Sequence, residues 1–217
     1  MNKKHFKTFI KNLPLDVNVM GRDRFFNSAV LIPLVKIDGE YYLLFQKRAA
    51  NIRQGGDICF PGGGYEDCDK SFKHTALRET KEELGIKKKD IKILGQLDTY
   101  VAPIGAVIEP FVGLIKKKAV KNMIIDPSEV EKTLLIPMKF FKEHQPEEYT
   151  LKYEVHPFSI NEEGEKEVHF PVEELGLPET YRKPWGHKRH KVWVYKYEDE
   201  VIWGITAVII NDLLKRY

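Results

Sequence analysis

The sequence predicts a mixed fold, α/β or α+β in class, and three observations carry that prediction. Two β-rich runs flank a tight-turn dipeptide near the start. A helix with a one-sided apolar stripe spans about residues 71–84. A second amphipathic helix closes the chain.

Taken in order, residues 1–25 form a short amphipathic lead-in, with Phe6, Ile10 and Leu13 spaced for one helical face. The run SAVLIPLVK is followed by IDGE and then YYLLFQKR, which reads as a hairpin turning at Asp38-Gly39. The near-continuous apolar character of the first strand predicts burial on both faces. Residues 49–70 are irregular and glycine-rich, ending in CFPGGGYEDCDK. The helix from about Ser71 to Leu84 is expected to stop at Gly85, which is placed as its C′ residue. Further strands are predicted at 91–100, 106–115 and 130–136. Residues 142–190 are polar, charged and dotted with prolines, and read as an insertion plus a long connection. Aromatic-rich strands near 150–156 and 192–197 flank or belong to it. In the closing GITAVIINDLL, Ile205, Val208, Ile209 and Leu213 share a core-facing side. No internal repeat interrupts this order, and 217 residues suit one domain over 1–217 carrying one sizeable insertion.

Composition narrows the class. With 42% hydrophobic residues, 12 Phe, 10 Tyr and 3 Trp, the chain can fill a core. A net charge of +3 is too small to argue for nucleic acid or an anionic membrane. The longest apolar run, Ala29–Val35, has strand length rather than membrane-spanning length. Cys59 and Cys68 form neither a metal-ligand pattern nor a disulfide framework, and no signal-peptide core is present. A cytoplasmic setting is expected.

The informative stretch is GGGYEDCDKSFKHTALRETKEELGI, residues 62–86. Glu79, Glu82 and Glu83 stand at i, i+3 and i+4, so three like charges crowd neighbouring positions on one helix. At roughly 100° per residue, Phe72, Ala76, Leu77, Thr80 and Leu84 make an apolar stripe. Glu83 projects inside its edge, and Glu79 and Glu82 lie just beside it. A carboxylate turned toward a core needs a pairing group or a cation. Clustered carboxylates without His or Cys suit Mg²⁺ or Mn²⁺ rather than zinc. The glycines just before the helix permit close backbone approach. His74, on the outer face, is expected to have no special role.

Residues 63–86 resemble the Nudix box, whose pattern is Gly, five residues, Glu, seven residues, then Arg-Glu-x-x-Glu-Glu-x-Gly. Arg78 to Ile86 (RETKEELGI) matches the second half at every defined position. In the first half, spacing from Arg78 places Lys70 where the acid belongs. Aligning on Gly63 places Asp69 there, with one extra residue before Arg78. Upstream, LLFQKRAANIRQGGDICFPGG is similar to the added motif of the coenzyme A pyrophosphatase branch, through Leu43-Leu44, Lys47-Arg48, Ile52-Arg53, Gly56 and Phe60–Gly63. The ending VIWGITAVIINDLL resembles that branch too.

The resemblance implies an α/β/α sandwich with a mixed, partly curved sheet. It implies hydrolysis of a diphosphate linkage with Mg²⁺ or Mn²⁺ held by Glu79, Glu83, Glu82 and the Gly63 carbonyl. Glu82 or Glu83 activates water, and Arg78 ties helix to loop. Lys47, Arg48, Arg53, Gly62 and Gly63 are expected to contact substrate phosphates, although surface charge alone would also explain the three basic residues. Glu66 and Asp69 either stabilise the helix start or position metal and water. Glu129 is a further carboxylate from another loop, and an ordinary surface role is favoured for it. The basic run His187–Lys191 is expected to be a solvated loop. The implied substrate is coenzyme A or an acyl-CoA, with ADP-ribose, NADH or a damaged nucleoside triphosphate as alternatives. A non-catalytic nucleotide sensor is the alternative of another class. No nucleic-acid or membrane partner is expected; a homodimer is left open.

Overall fold

A computed structural model describes residues 2–13, 18–103 and 105–217, with backbone only at His187 and Lys188. Helix α1 (Lys3–Lys11) precedes the long strand β1 (Phe26–Ile37), β2 (Glu40–Arg48) and the short β3 (Ile58–Cys59) and β4 (Gly62–Gly64). Helix α2 (Phe72–Leu84) follows, then β5 (Ile91–Gln96), β6 (Tyr100–Ala102), β7 (Ala106–Ile115) and α3 (Lys117–Lys121). After β8 (Val130–Pro137) and α4 (Met138–Glu143) come β9 (Glu147–Val155), β10 (Phe158–Ile160) and β11 (Lys166–Val168). The chain ends in β12 (Trp185–Tyr197), β13 (Glu200–Trp203) and α5 (Gly204–Leu214).

The predicted hairpin forms, with Leu34 opposite Leu43 and Ile37 opposite Glu40. Asp38 and Gly39 both take positive φ, at 51° and 95°, as the tightest hairpin turns require. β1 is the spine of the main sheet. It runs parallel to β7 from Phe26–Ala106 to Val35–Ile115, while β2 and β4 pair antiparallel with it. β3 and β8 join β2, and β5 and β6 join β7, giving a mixed sheet of eight strands. Side-chain alternation sends Ala29, Leu31 and Val35 to one face with Leu44, Ala76 and Leu84. Ile32 goes to the other face with Leu43, Phe45, Phe141, Ile209 and Ile210. Helices α2 and α3 therefore cover one side, and α4 and α5 the other. The architecture is the α/β/α sandwich with a mixed sheet.

Helix α2 starts where the Ser71 hydroxyl accepts the His74 amide at 3.3 Å, and ends at Gly85, φ 69°. Its C-terminal carbonyls find partners outside the helix. The Ile124 amide donates to Leu84 O at 3.2 Å, and the Asp126 amide to Glu83 O at 2.9 Å.

Several sequence expectations change. The strand predicted at 91–100 breaks after Gln96, because Leu97 turns inward while Gln96 and Thr99 both donate to buried Glu109, at 2.7 and 2.8 Å. Residues 142–190 are not a mere connection: β9, the β10–β11 hairpin and the start of β12 lie within them. β9, β12 and β13 make a second antiparallel sheet. The basic run 187–191 is part of β12 rather than a loop; the side chains of His187 and Lys188 lie outside the described residues. β9 and the second half of β12 are the strands expected near 150–156 and 192–197. The β10–β11 hairpin and the start of β12 were hidden because their mostly exposed residues make no apolar run.

A Cβ on residue 85 would stand 2.7 Å from Ile124 O, at a backbone angle that L-residues avoid. Gly85→Ala is expected to lower unfolding stability by about 1–3 kcal/mol in urea titrations, with the helix otherwise intact.

Candidate active site

The site assembles where α2 crosses β4 and the end of β2. Gly63, in β4, lies directly beneath Glu79. A Cβ there would sit 2.5 Å from the Glu79 carboxyl carbon, so only glycine admits the carboxylate against the strand. Glu83, one turn further along the helix, is 2% exposed. The Gly62 amide donates to its Oε2 at 2.8 Å, and the Gln46 side-chain amide to its Oε1 at 2.6 Å. Burial nonetheless dominates and pushes the Glu83 carboxyl up to about 8, with the charges of Glu79 and Glu129 adding to the rise. Burial raises Glu79 as well, against the pull of neighbouring Arg78. Glu82 is exposed, its side chain 52% accessible.

Arg78 is the hub that holds loop to helix. Its Nη1 donates to Glu79 and Glu82, each at 2.9 Å. Its Nη2 donates to Gly64 O at 2.9 Å and to Asp69 at 3.0 Å, and its Nε reaches the other Asp69 oxygen at 3.1 Å. This bidentate pairing holds the Asp69 carboxyl well below the usual carboxylate range and raises the guanidinium in turn. Asp69 is fully engaged: His74 Nδ1 lies 2.8 Å from it, and the Glu66 amide donates to it at 3.2 Å. Asp69 therefore organises the turn before α2. His74, expected to be idle, belongs to this cluster. Glu66 stays exposed at its rim, 3.6 Å from Arg78.

The predicted phosphate contacts divide. Lys47 is drawn away to Glu200 on β13, at 3.2 Å, with Glu131 at 3.9 Å, so it is not a free clamp. The Arg48 Nε donates to Arg53 O at 3.1 Å, and Arg53 is exposed. The start of that loop is tied to the segment before β8, the Ala49 amide donating to the Glu129 backbone carbonyl at 2.9 Å. Glu129 is exposed, and its charge raises both Glu79 and Glu83.

Gln46 was not anticipated. It is completely buried, and its Oε1 has no hydrogen-bond partner among the described residues. The signal lay in strand periodicity: Leu44 faces α2, so Gln46, two residues on, must face it too. An amide in an otherwise apolar strand, aimed at a carboxylate-bearing helix, marks a built polar site.

The donor chemistry fits a hard divalent cation. Glu79, Glu83 and Glu82 supply oxygens on one helix, the Gly63 cradle lets Glu79 approach the backbone, and the orphan Gln46 oxygen awaits a donor such as a bound water. Cys59 does not compete, since burial pushes its thiol up to about 11 and keeps it protonated. Among the described residues, no three acidic, His or Cys side chains are already converged on one point. Glu79 and Glu82 rest on Arg78 instead.

A carboxylate helix laid over a glycine strand inside an α/β/α sandwich defines a hydrolase of the Nudix class. The NUDIX domain model matches residues 26–194, and the chain belongs to that family. Over 191 residues it is 29% identical to an uncharacterized Nudix hydrolase NudL of Photorhabdus laumondii, covering 88% of this chain and 84% of that one. It is 28% identical to the human mitochondrial coenzyme A diphosphatase NUDT8, covering 87% and 68%. A MutT/nudix family protein from Enterococcus faecalis superposes at a TM-score of 0.49 with 13% identity, covering 99% of this chain and 69% of that one. No helix among the described residues is long and apolar enough to cross a membrane.

The buried Glu83 makes stability depend on pH. Below its ordinary value of 4.5, folded and unfolded chains both hold the proton; up to about 8 only the folded chain keeps it. Stability of the metal-free protein should therefore fall, on the order of a few kcal/mol, as pH rises through that window. Urea midpoints across the window should show this slope in the wild type and a flatter one in Glu83→Gln. Equal slopes would remove Glu83 as the cause.

Proposed function

We propose that the protein hydrolyses the diphosphate linkage of coenzyme A or an acyl-CoA, releasing 3′,5′-ADP and 4′-phosphopantetheine or its acyl form. The observation that carries the chemistry is the seating of Glu79 against Gly63 and of Glu83 against the Gly62 amide. Two carboxylates are thereby aimed at one stretch of backbone. The coenzyme A assignment is supported by the motif at residues 43–63 and by similarity to a relative named as a coenzyme A diphosphatase.

In this reading Glu79 and Glu83 hold Mg²⁺ or Mn²⁺, with Glu82 and the Gly63 carbonyl completing the set. Held by these residues, such an ion would supply neutralisation of the charge developing on the diphosphate oxygens. Gln46 and the Gly62 amide fix the orientation of Glu83, so that one lone pair on each oxygen stays free. Arg78 keeps the loop closed over the helix through Asp69 and Gly64 O. Arg48 and Arg53, at the rim beside Glu129, receive substrate phosphates. A base on the water side comes from the exposed carboxylates, Glu82 or Glu129, because a water must approach from solvent. Residues 1–217 act as one hydrolase domain, the second sheet being tied to the site loop by Trp203 donating to Asp57 at 3.1 Å and by Lys47–Glu200.

The purified protein is expected to release 3′,5′-ADP from coenzyme A in the presence of Mg²⁺, read by mass spectrometry beside ADP-ribose, NADH and 8-oxo-dGTP. Glu83→Gln should lower turnover at least about a hundredfold. Cleavage of another substrate alone would keep the chemistry and discard coenzyme A. Nucleotide binding without turnover would identify a sensor. Separately, Gln46→Leu should weaken Mn²⁺ binding by about 10- to 100-fold, measured by titration calorimetry, while urea unfolding reports whether the fold survives. Unchanged affinity would leave Gln46 with packing alone.

A further inference from the structure

We infer that α1 docks the protein on an anionic lipid surface as a peripheral amphipathic helix. Phe6, Phe9 and Ile10 stand at i, i+3 and i+4, forming one apolar stripe that Leu13 extends just past the helix end, and each is about half exposed. No residue of α1 is buried. Among the described residues, no hydrogen bond, ion pair or ring contact joins α1 to another element, its side-chain bonds being His5 to Asn2 and Thr8 to Lys4. The stripe thus contributes nothing to the core.

The charge pattern selects the partner. Lys3, Lys4, Lys7 and Lys11 lie along the same nine residues, and no acidic residue lies between Asn2 and Leu13. Four positive charges exceed the net +3 of the entire chain, so the rest is close to neutral and the cation excess is local. On a helical wheel the lysines occupy an arc beginning beside Ile10. From there their ammonium groups reach outward past the apolar stripe to lipid headgroups, with their methylenes along its edge. An isolated helix this short is marginal in water. An interface supplies what it lacks, an apolar layer for the stripe and anionic groups for the lysines. A second copy of the chain fits less well, because symmetric pairing of stripes brings eight lysines together with no counter-charge. Nucleic acid would satisfy the lysines but leave two phenylalanines, an isoleucine and a leucine in water.

This inference stands apart from the substrate assignment. The test uses the full-length protein sedimented with vesicles of phosphatidylcholine, with and without phosphatidylglycerol, at low and at high salt. Partitioning onto the anionic vesicles should exceed that onto the zwitterionic ones at least about tenfold and fall at high salt. Phe6→Ser with Phe9→Ser, and separately Lys4→Glu with Lys7→Glu, should each abolish it, with an unchanged urea unfolding midpoint as proof of folding. Equal partitioning onto both vesicles, or binding retained by either double variant, would overturn the proposal. So would absence of vesicle binding, whether alone or with concentration-dependent self-association or DNA binding that the same variants remove.

Discussion

Glu83 places a carboxylate on the inward side of a core helix, where ionisation is opposed by the loss of water. Most of the surrounding architecture answers that one constraint. β4 runs close enough for the Gly62 amide to reach one oxygen, and β2 carries Gln46 to the other. A Cβ at Gly62 would stand 2.3 Å from Ala29 O, so the strand that presents this amide can lie against β1 only as glycine. The pairing of β1 with β4 along its first half and with β2 along its second is what brings both donors to the same carboxylate. These bonds reduce the penalty without removing it, and a cation beside Glu79 and Glu83 would complete the compensation.

A second network keeps the first in place. Arg78 spans the turn, joining Asp69 and Gly64 O to Glu79 and Glu82 on its own helix. With its acid partner fully buried and engaged on both oxygens, this pairing is a structural clasp whose loss would strand a charge. The same guanidinium relieves repulsion among the helix glutamates. That relief allows three carboxylates at i, i+3 and i+4 to persist in a helix otherwise weakened by them.

Elsewhere the molecule repeats this habit of answering a buried charge from a distant segment. Glu109, nearly inaccessible in β7, is met by Arg22 from the residues before β1, by Gln96 at the end of β5 and by Thr99 just beyond it. Lys47 and Lys132 converge on Glu200, drawing the second sheet against the first. Such bridges hold the lead-in and the C-terminal sheet to the sandwich, and α1 remains the one helix whose apolar side has no such partner among the described residues.

On α5 the buried side is Thr206, Ala207, Ile209 and Ile210, so of the four residues expected to face the core only Ile209 is buried. The hairpin at Asp38-Gly39, the limits of α2 and the inward set of Glu83 were all legible in the sequence. Each depends on a period or a turn preference expressed within a few residues. The three glutamates could be singled out for the same reason, since helical spacing alone puts them on one side. Two strands of the second sheet, β9 and β12, were legible near 150–156 and 192–197. The β10–β11 hairpin and the early start of β12 escaped notice because mostly exposed polar residues leave no apolar run to read. Gln46 and Glu83 are 37 residues apart, and Lys47 and Glu200 are 153 apart. That Lys47 pairs with Glu200, that Asp69 pairs with Arg78 and that His74 joins them became visible only when the chain closed. The sequence by itself determined what each segment becomes and which residue types it presents, because those follow from local sterics and hydrophobic period. Only the tertiary structure decided which charges are answered and by whom, because a side chain's partner is set by strands and helices packed from distant parts of the chain.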